Sequence, residues 1–249
     1  MLRRLSPLLF LLALGCSGGS ADKPSVSEEP IAKGPGDELI LPGAGKASDA
    51  IPPKTTPGGP QTVQFLNSQG TGRHFCIIAD HSLSIGDPSL ALIKKEIVKT
   101  LSSMNERSSF YVILFAKEPL PMPGAGWLSA TKDNIDKTAG WMAPIGRLWG
   151  TIPAPAFRKA LALEPRPDVI FFMTDGQLQP KKATSLIADL NRKEPKVPIN
   201  TILFTKSAAI VPPENRARAD LEIIARDSGG TFHQFIDPDG APKKKKKKA

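Results

Sequence analysis

Two short stretches hold the residues whose types and spacing could do chemistry. In Ile77-Ile78-Ala79-Asp80-His81-Ser82-Leu83-Ser84 an apolar run ends on an acid. Two hydroxyls follow at alternate positions, able to point the same way as that acid. In Ile170-Phe171-Phe172-Met173-Thr174-Asp175-Gly176 a second apolar run ends on a second acid. A carboxylate that leaves a buried run straight into a turn is costly unless a cation meets it. No Lys or Arg lies within a few residues of either acid. Two acids in one crevice would repel and raise a pKa unless a metal ion sat between them. Thr151, ahead of a helix expected near Pro155, completes a set of oxygen-bearing groups: Asp80, Ser82, Ser84, Thr151 and Asp175. Such hard ligands suit Mg²⁺, Mn²⁺ or Ca²⁺ rather than zinc. Taken singly, each residue also has a plainer use. Asp80, Ser82 and Ser84 can satisfy turn and loop amides, and Thr151 can cap a helix.

The elements that must position these groups are legible around them. The predicted strands are His74 to Ala79, Phe110 to Phe115, Asp168 to Met173, Ile199 to Phe204 and Thr231 to Phe235. Most are continuous apolar runs, the pattern of strands covered on both faces in a parallel sheet. Between them the periodicity predicts helices over Pro88 to Met104, Lys132 to Met142, Pro155 to Leu163, Lys181 to Arg192 and Arg216 to Ser228. Leu90, Ile93, Ile97 and Leu101 give the first helix one apolar stripe. Asp87-Pro88 supplies an N-cap and a proline for its first turn, and Gly229-Gly230 stops the last helix. Lys117 to Thr131, broken by Pro119, Pro121 and Pro123, leaves room for a short antiparallel edge strand. Strand–helix alternation over roughly 170 residues predicts one α/β domain, doubly wound, with a mostly parallel sheet and helices on both faces. In such a sheet functional groups gather at the carboxyl ends of the strands, at the topological switch point. Both acids stand at such ends.

Three pieces in this order, Asp80-x-Ser82-x-Ser84, Gly150-Thr151 and Thr174-Asp175-Gly176, resemble the metal-ion-dependent adhesion site of von Willebrand factor type A domains. The resemblance covers about residues 73 to 236 and includes Leu221 to Phe232, similar to the last helix and strand of bacterial members. It implies a Rossmann-like sheet and a divalent cation, with Mg²⁺ the first choice. It also implies a protein partner that presents Asp or Glu to that cation. By the same resemblance Ser82, Ser84 and Thr151 hold the ion directly, and Asp80 and Asp175 act largely through water. Neutral hydroxyls leave the ion's charge incompletely quenched, so the site docks an anion rather than running a reaction. A metal-dependent hydrolase is the alternative, and a structural envelope protein with a vestigial site is another. Against the hydrolase, the chain carries no phosphate-cradling Gly-rich loop, G-x-S-x-G elbow or H-E-x-x-H. His74, His81 and His233 lack zinc-ligand spacing, and His81 reads as an exposed loop histidine. Trp127 and Trp141 read as core, and Trp149 as core or as the rim of a binding face.

The ends of the chain have a different texture. Arg3 and Arg4 precede the apolar run Leu8 to Leu14, and Gly15-Cys16 follows. That order reads as a secretory signal over residues 1–15. It resembles the bacterial lipoprotein signal, which implies acylation of Cys16 and attachment to the cell envelope. Ser17, where an inner-membrane protein would carry Asp, favours the outer membrane by the same resemblance. Residues 16–62 are rich in Pro, Gly and Ser, with no aromatic residue between Phe10 and Phe65, and read as a flexible tether. Residues 63–237 form the expected domain, and 238–249 a solvated tail. The chain has 249 residues and a formal charge of +9, but Arg3, Arg4 and the lysines Lys243 to Lys248 carry all but one of those charges. The remainder is nearly neutral, so a specific nucleic-acid platform is excluded. The lysine run is suited to an anionic envelope polymer. Of two cysteines, Cys76 lies in an apolar run and reads as a small buried hydrophobe.

Overall fold

The computed structural model describes residues 59–176, 178–179, 181–207 and 214–238. The expected signal segment, Cys16, nearly all of the tether and Lys243 to Lys248 lie outside the described residues. The described residues open with a hairpin of β1 (Gln61–Phe65) and β2 (Ser68–Gly72), then β3 (His74–Asp80) and α1 (Asp87–Ser102). Next come β4 (Ser109–Phe115), two short strands β5 (Pro119–Pro121) and β6 (Leu128–Ser129), α2 (Lys132–Met142) and α3 (Ala154–Leu161). The last part holds β7 (Val169–Thr174), α4 (Ala183–Leu190), β8 (Ile199–Thr205), α5 (Glu214–Ser228) and β9 (Phe232–Ile236).

The main sheet runs β5-β4-β3-β7-β8-β9, with β6 also paired to β4. The pairs from β4 through β9 are parallel, and β5 and β6 run antiparallel to β4. This is the doubly wound α/β sheet that the apolar runs imply. Every residue of β7 and β8 is buried, so both faces of the centre are covered. Phe157 of α3 packs edge-on against Phe172 on one face, at 4.9 Å between ring centroids. Phe65 of the hairpin packs against Phe171 on the other, at 6.0 Å. Prolines at both ends of β5 blunt the sheet edge there, since they have no N–H to offer another strand.

The hairpin is the element that sequence periodicity misses. Its turn residues Leu66 and Asn67 both have positive φ, 46° and 69°. Gly70 of β2 lies so close to β7 that a Cβ there would meet Val169 at 2.6 Å. The small residues Ser68, Gly70 and Gly72 on the buried face of β2 are therefore what lets the hairpin lie flat on the sheet. Polar groups secure it: Thr100 Oγ1 donates to the Gln64 carbonyl (2.9 Å), and Asn200 Nδ2 to the Gln69 carbonyl (2.8 Å).

Candidate metal centre

Register decides what meets at the switch point. The chain leaves β3 for β4 on one side and later returns to β7 on the other, so the crevice lies between β3 and β7. Ala79 pairs with Met173. The next residues, Asp80 and Thr174, therefore stand side by side at the carboxyl end of the sheet. Thr174 Oγ1 donates to Asp80 Oδ2 at 2.6 Å and itself accepts the Gly176 N–H at 3.2 Å. Asp80 Oδ1 accepts the Ser82 N–H at 2.7 Å, which folds the chain after β3 back over the strand end.

The hydroxyls then join the two acids. Ser84 Oγ donates to Asp175 Oδ1 at 2.7 Å and lies 2.9 Å from Ser82 Oγ. A hydroxyl has one proton to give, so Ser82 is the donor in that second pair. Asp80, Ser82, Ser84 and Asp175 thus share one continuous network. Thr151 is nearly buried in the neighbouring loop, and among the described residues its hydroxyl makes no hydrogen bond to the other four. Its loop is nevertheless bound to them. Ser82 forms a parallel bridge with Leu148, Ile152 N–H donates to the Ala116 carbonyl, and Gln179 N–H donates to the Thr151 carbonyl.

The site is electrostatically unfinished. Asp80 is fully buried, and burial pushes its carboxyl up to about 7. The hydrogen bond from Thr174 opposes that rise, and the charge of Asp175 adds to it. Among the described residues no Lys or Arg pairs with Asp80. Nor do they contain a cluster of three or more His, Cys, Asp or Glu side chains able to hold a metal. The donor set is two carboxylates with hydroxyls, and a buried carboxylate without a cationic neighbour fits a hard divalent ion.

His81 corrects the sequence reading, because it is fully buried rather than exposed. The ring Nδ1 lies 2.9 Å from the Gly146 carbonyl, the backbone N–H of His81 donates to the Phe115 carbonyl, and its backbone carbonyl accepts Leu148 N–H. Burial lowers its pKa, the Gly146 carbonyl opposes that fall and Lys94 adds to it, and the ring serves to pin the 144–151 loop. Asp87 also departs from expectation. Gly86 occupies the cap of α1, and the Asp87 carboxylate instead takes Arg147 in a two-pronged pair, Nε–Oδ1 2.5 Å and Nη2–Oδ2 3.0 Å. The guanidinium holds that carboxyl below its usual range. The third nitrogen of Arg147 donates to the Leu83 carbonyl at 3.0 Å, so one side chain ties the Ser82–Ser84 loop to the Thr151 loop. Neither this clamp nor the Thr174 support has a local signal, since each joins residues 60 or more positions apart. Trp127 and Trp141 are half-buried against the core, and Trp149 is 66% exposed beside the site.

Gly150 is the point of close approach. Its φ is +101°, and a Cβ there would meet the Lys117 backbone at 3.0 Å. Gly150→Ala should cost about 1–3 kcal/mol in denaturant unfolding, from left-handed strain and crowding together. It should also displace Thr151 from the other groups. A variant of unchanged stability would show that the loop adapts freely.

No family model matches the chain, and no curated protein matches it in sequence. Solved structures do resemble it. A von Willebrand factor type A protein from Catenulispora acidiphila superposes with a TM-score of 0.57 at 15% identity, over 69% of this chain and 41% of that one. The pilus adhesin SpaC of Lactobacillus rhamnosus GG gives 0.55 at 10% identity, over 67% of this chain and 29% of that one. An aerotolerance-related membrane protein from Bacteroides fragilis gives 0.51 at 18%, over 68% of this chain and 94% of that one. The chain therefore spans about two fifths of the first of these proteins and less than a third of the second. At these identities the likeness is one of fold, and it agrees with the mostly parallel α/β sheet: the described residues have the fold of a von Willebrand factor type A domain.

Proposed function

We propose that this chain is a lipid-anchored binding module that docks an acidic group of a protein partner through a divalent cation. The observation that supports it best is the hydrogen-bond network uniting Asp80, Ser82, Ser84 and Asp175 at the switch point. Those four residues, with Thr151, would hold the ion, with Mg²⁺ the first choice and Mn²⁺ and Ca²⁺ the alternatives. Bound there, the ion supplies a positive charge that hydroxyl ligands leave incompletely quenched. The chain's own contribution is orientation. Thr174 fixes the Asp80 carboxylate, and Arg147 and His81 fix the two loops.

The binding reading is favoured over hydrolysis because His81, the one histidine within the motif and so the one that could serve there as a general base, is buried with Nδ1 engaged by Gly146. The fold neighbours, one of them a pilus adhesin and another a membrane protein, accord with adhesion at a cell envelope. Among the described residues no helix is long and apolar enough to cross a membrane. In this reading attachment falls to acylated Cys16, at the outer membrane, on the resemblance of residues 1–16 to a lipoprotein signal, with Lys243 to Lys248 adding salt-sensitive attraction to an anionic envelope polymer.

Calorimetric titration of the full chain with Mg²⁺, Mn²⁺ and Ca²⁺ tests the site. Saturable uptake of at least one ion is expected, weakened by at least about tenfold in Ser84→Ala. Partner capture from envelope extract should vanish in excess chelator. Absence of uptake at millimolar concentrations of all three ions, or capture unchanged by chelator, would sink the proposal.

A further inference from the structure

The loops that carry the candidate ligands also carry most of the exposed apolar surface near them. Leu83, between Ser82 and Ser84, is 52% exposed, and Leu148 and Trp149, just ahead of Thr151, are 57% and 66% exposed. They are half of the six large hydrophobic side chains exposed among the described residues. Solitary exposed apolar residues need no explanation, but a cluster rimming a polar site marks a contact surface. The backbone beneath the cluster is held in place. Arg147 bonds the Leu83 carbonyl, Leu148 N–H is held by the His81 carbonyl, and the Trp149 carbonyl accepts Lys117 N–H. Such a surface is ordered before a partner arrives, which reduces the entropic cost of docking.

The charges around the rim are only partly paired. Arg147 is neutralised by Asp87. Lys117, adjoining Trp149, and Lys206, which lines a cavity of about 200 Å³ with Ser84 and Asp175, have no salt-bridge partner among the described residues. We infer that the partner presents its docking acid on a segment whose neighbouring side chains are apolar, with Leu83, Leu148 and Trp149 covering them and Lys117 and Lys206 favouring net negative charge. This selectivity rests on the cation-docking reading above and adds what surrounds the acid.

An immobilised peptide array distinguishes the two. Each peptide has a central Asp or Glu flanked by Leu and Phe, by Ser, or by Lys, and is probed with the full chain in Mg²⁺ and in chelator. Apolar-flanked acids should bind at least about tenfold more tightly than Ser-flanked ones, and Lys-flanked ones most weakly, all in a cation-dependent way. The triple variant Leu83→Ser, Leu148→Ser, Trp149→Ser should erase the preference while calorimetric Mg²⁺ uptake is retained. Trp149→Ser alone should reduce it and serves if the triple variant does not fold. Equal binding of apolar- and Ser-flanked acids by a chain that takes up Mg²⁺, or a preference surviving in the folded variants, overturns this inference alone. A chain with neither Mg²⁺ uptake nor cation-dependent binding overturns the docking reading and this inference with it.

Discussion

Asp80→Asn is expected to raise the stability of the metal-free protein and at the same time abolish its response to divalent cations. The two effects have one origin. Burial holds the Asp80 carboxyl at about 7, against an ordinary value of 3.8. Between those limits the folded state retains a proton that the unfolded state has released, so stability falls as pH rises. Below about pH 4 the carboxyl is protonated in both states and the penalty is absent. Above about pH 7 the penalty is complete, on the order of 4 kcal/mol. Asparagine keeps an oxygen for the Ser82 N–H and never ionises. Thermal melts in chelator should therefore show the two proteins converging near pH 4, with the variant more stable by several degrees at pH 8. Adding Mg²⁺ at pH 8 should raise the melting temperature of the parent only. A variant less stable than the parent in chelator at pH 8, or one still stabilised by Mg²⁺, would refute this account of Asp80.

The largest loss of stability should come from Gly230→Ala. Gly230 passes directly over the Ile199 carbonyl, where an added methyl would overlap backbone atoms that cannot swing aside. Just beyond it, Thr231 donates its N–H and its hydroxyl to Asn200 Oδ1, each at 2.9 Å, and its carbonyl accepts the Thr201 N–H. Relief would require β9 to leave β8 at its first residues and lose these bonds. Overpacking against side chains costs about 1–3 kcal/mol, and a rigid backbone neighbour should place this case at about 3 kcal/mol or more. Gly229→Ala is the internal control. Gly229 has φ +79°, but a methyl added there would meet nothing within 4 Å, so only the left-handed penalty of about 1 kcal/mol applies. Urea unfolding of both variants checks the order, and a Gly229 variant as costly as the Gly230 one would show that crowding is not the cause.

Much of the architecture was legible because its signals are local. The strands β3, β4 and β7 are continuous apolar runs, β8 and β9 are apolar runs interrupted by polar residues, and the observed bounds of all five differ from expectation by a residue or so. The edge strand expected among the prolines of Lys117 to Thr131 is present, as β5 and β6 antiparallel to β4. The hairpin was not legible, since Ser68 to Gly72 has no apolar residue and Leu66 looks like strand rather than turn. Two glycines in β2 make sense only against the β7 surface they approach.

For the site, the sequence by itself determined which residues could take part: acids at the ends of two buried runs, with hydroxyls spaced to follow the first. Only the tertiary structure decided their surroundings. It placed Thr174 against Asp80 across 94 positions, turned His81 inward, and recruited Arg147 to Asp87 across 60. It left Leu83, Leu148 and Trp149 in solvent beside the site. The physical reason is range. Apolar runs and hydroxyl spacing are written within a few residues, whereas burial, pKa and exposure depend on which distant segments the parallel register brings to the same end of the sheet.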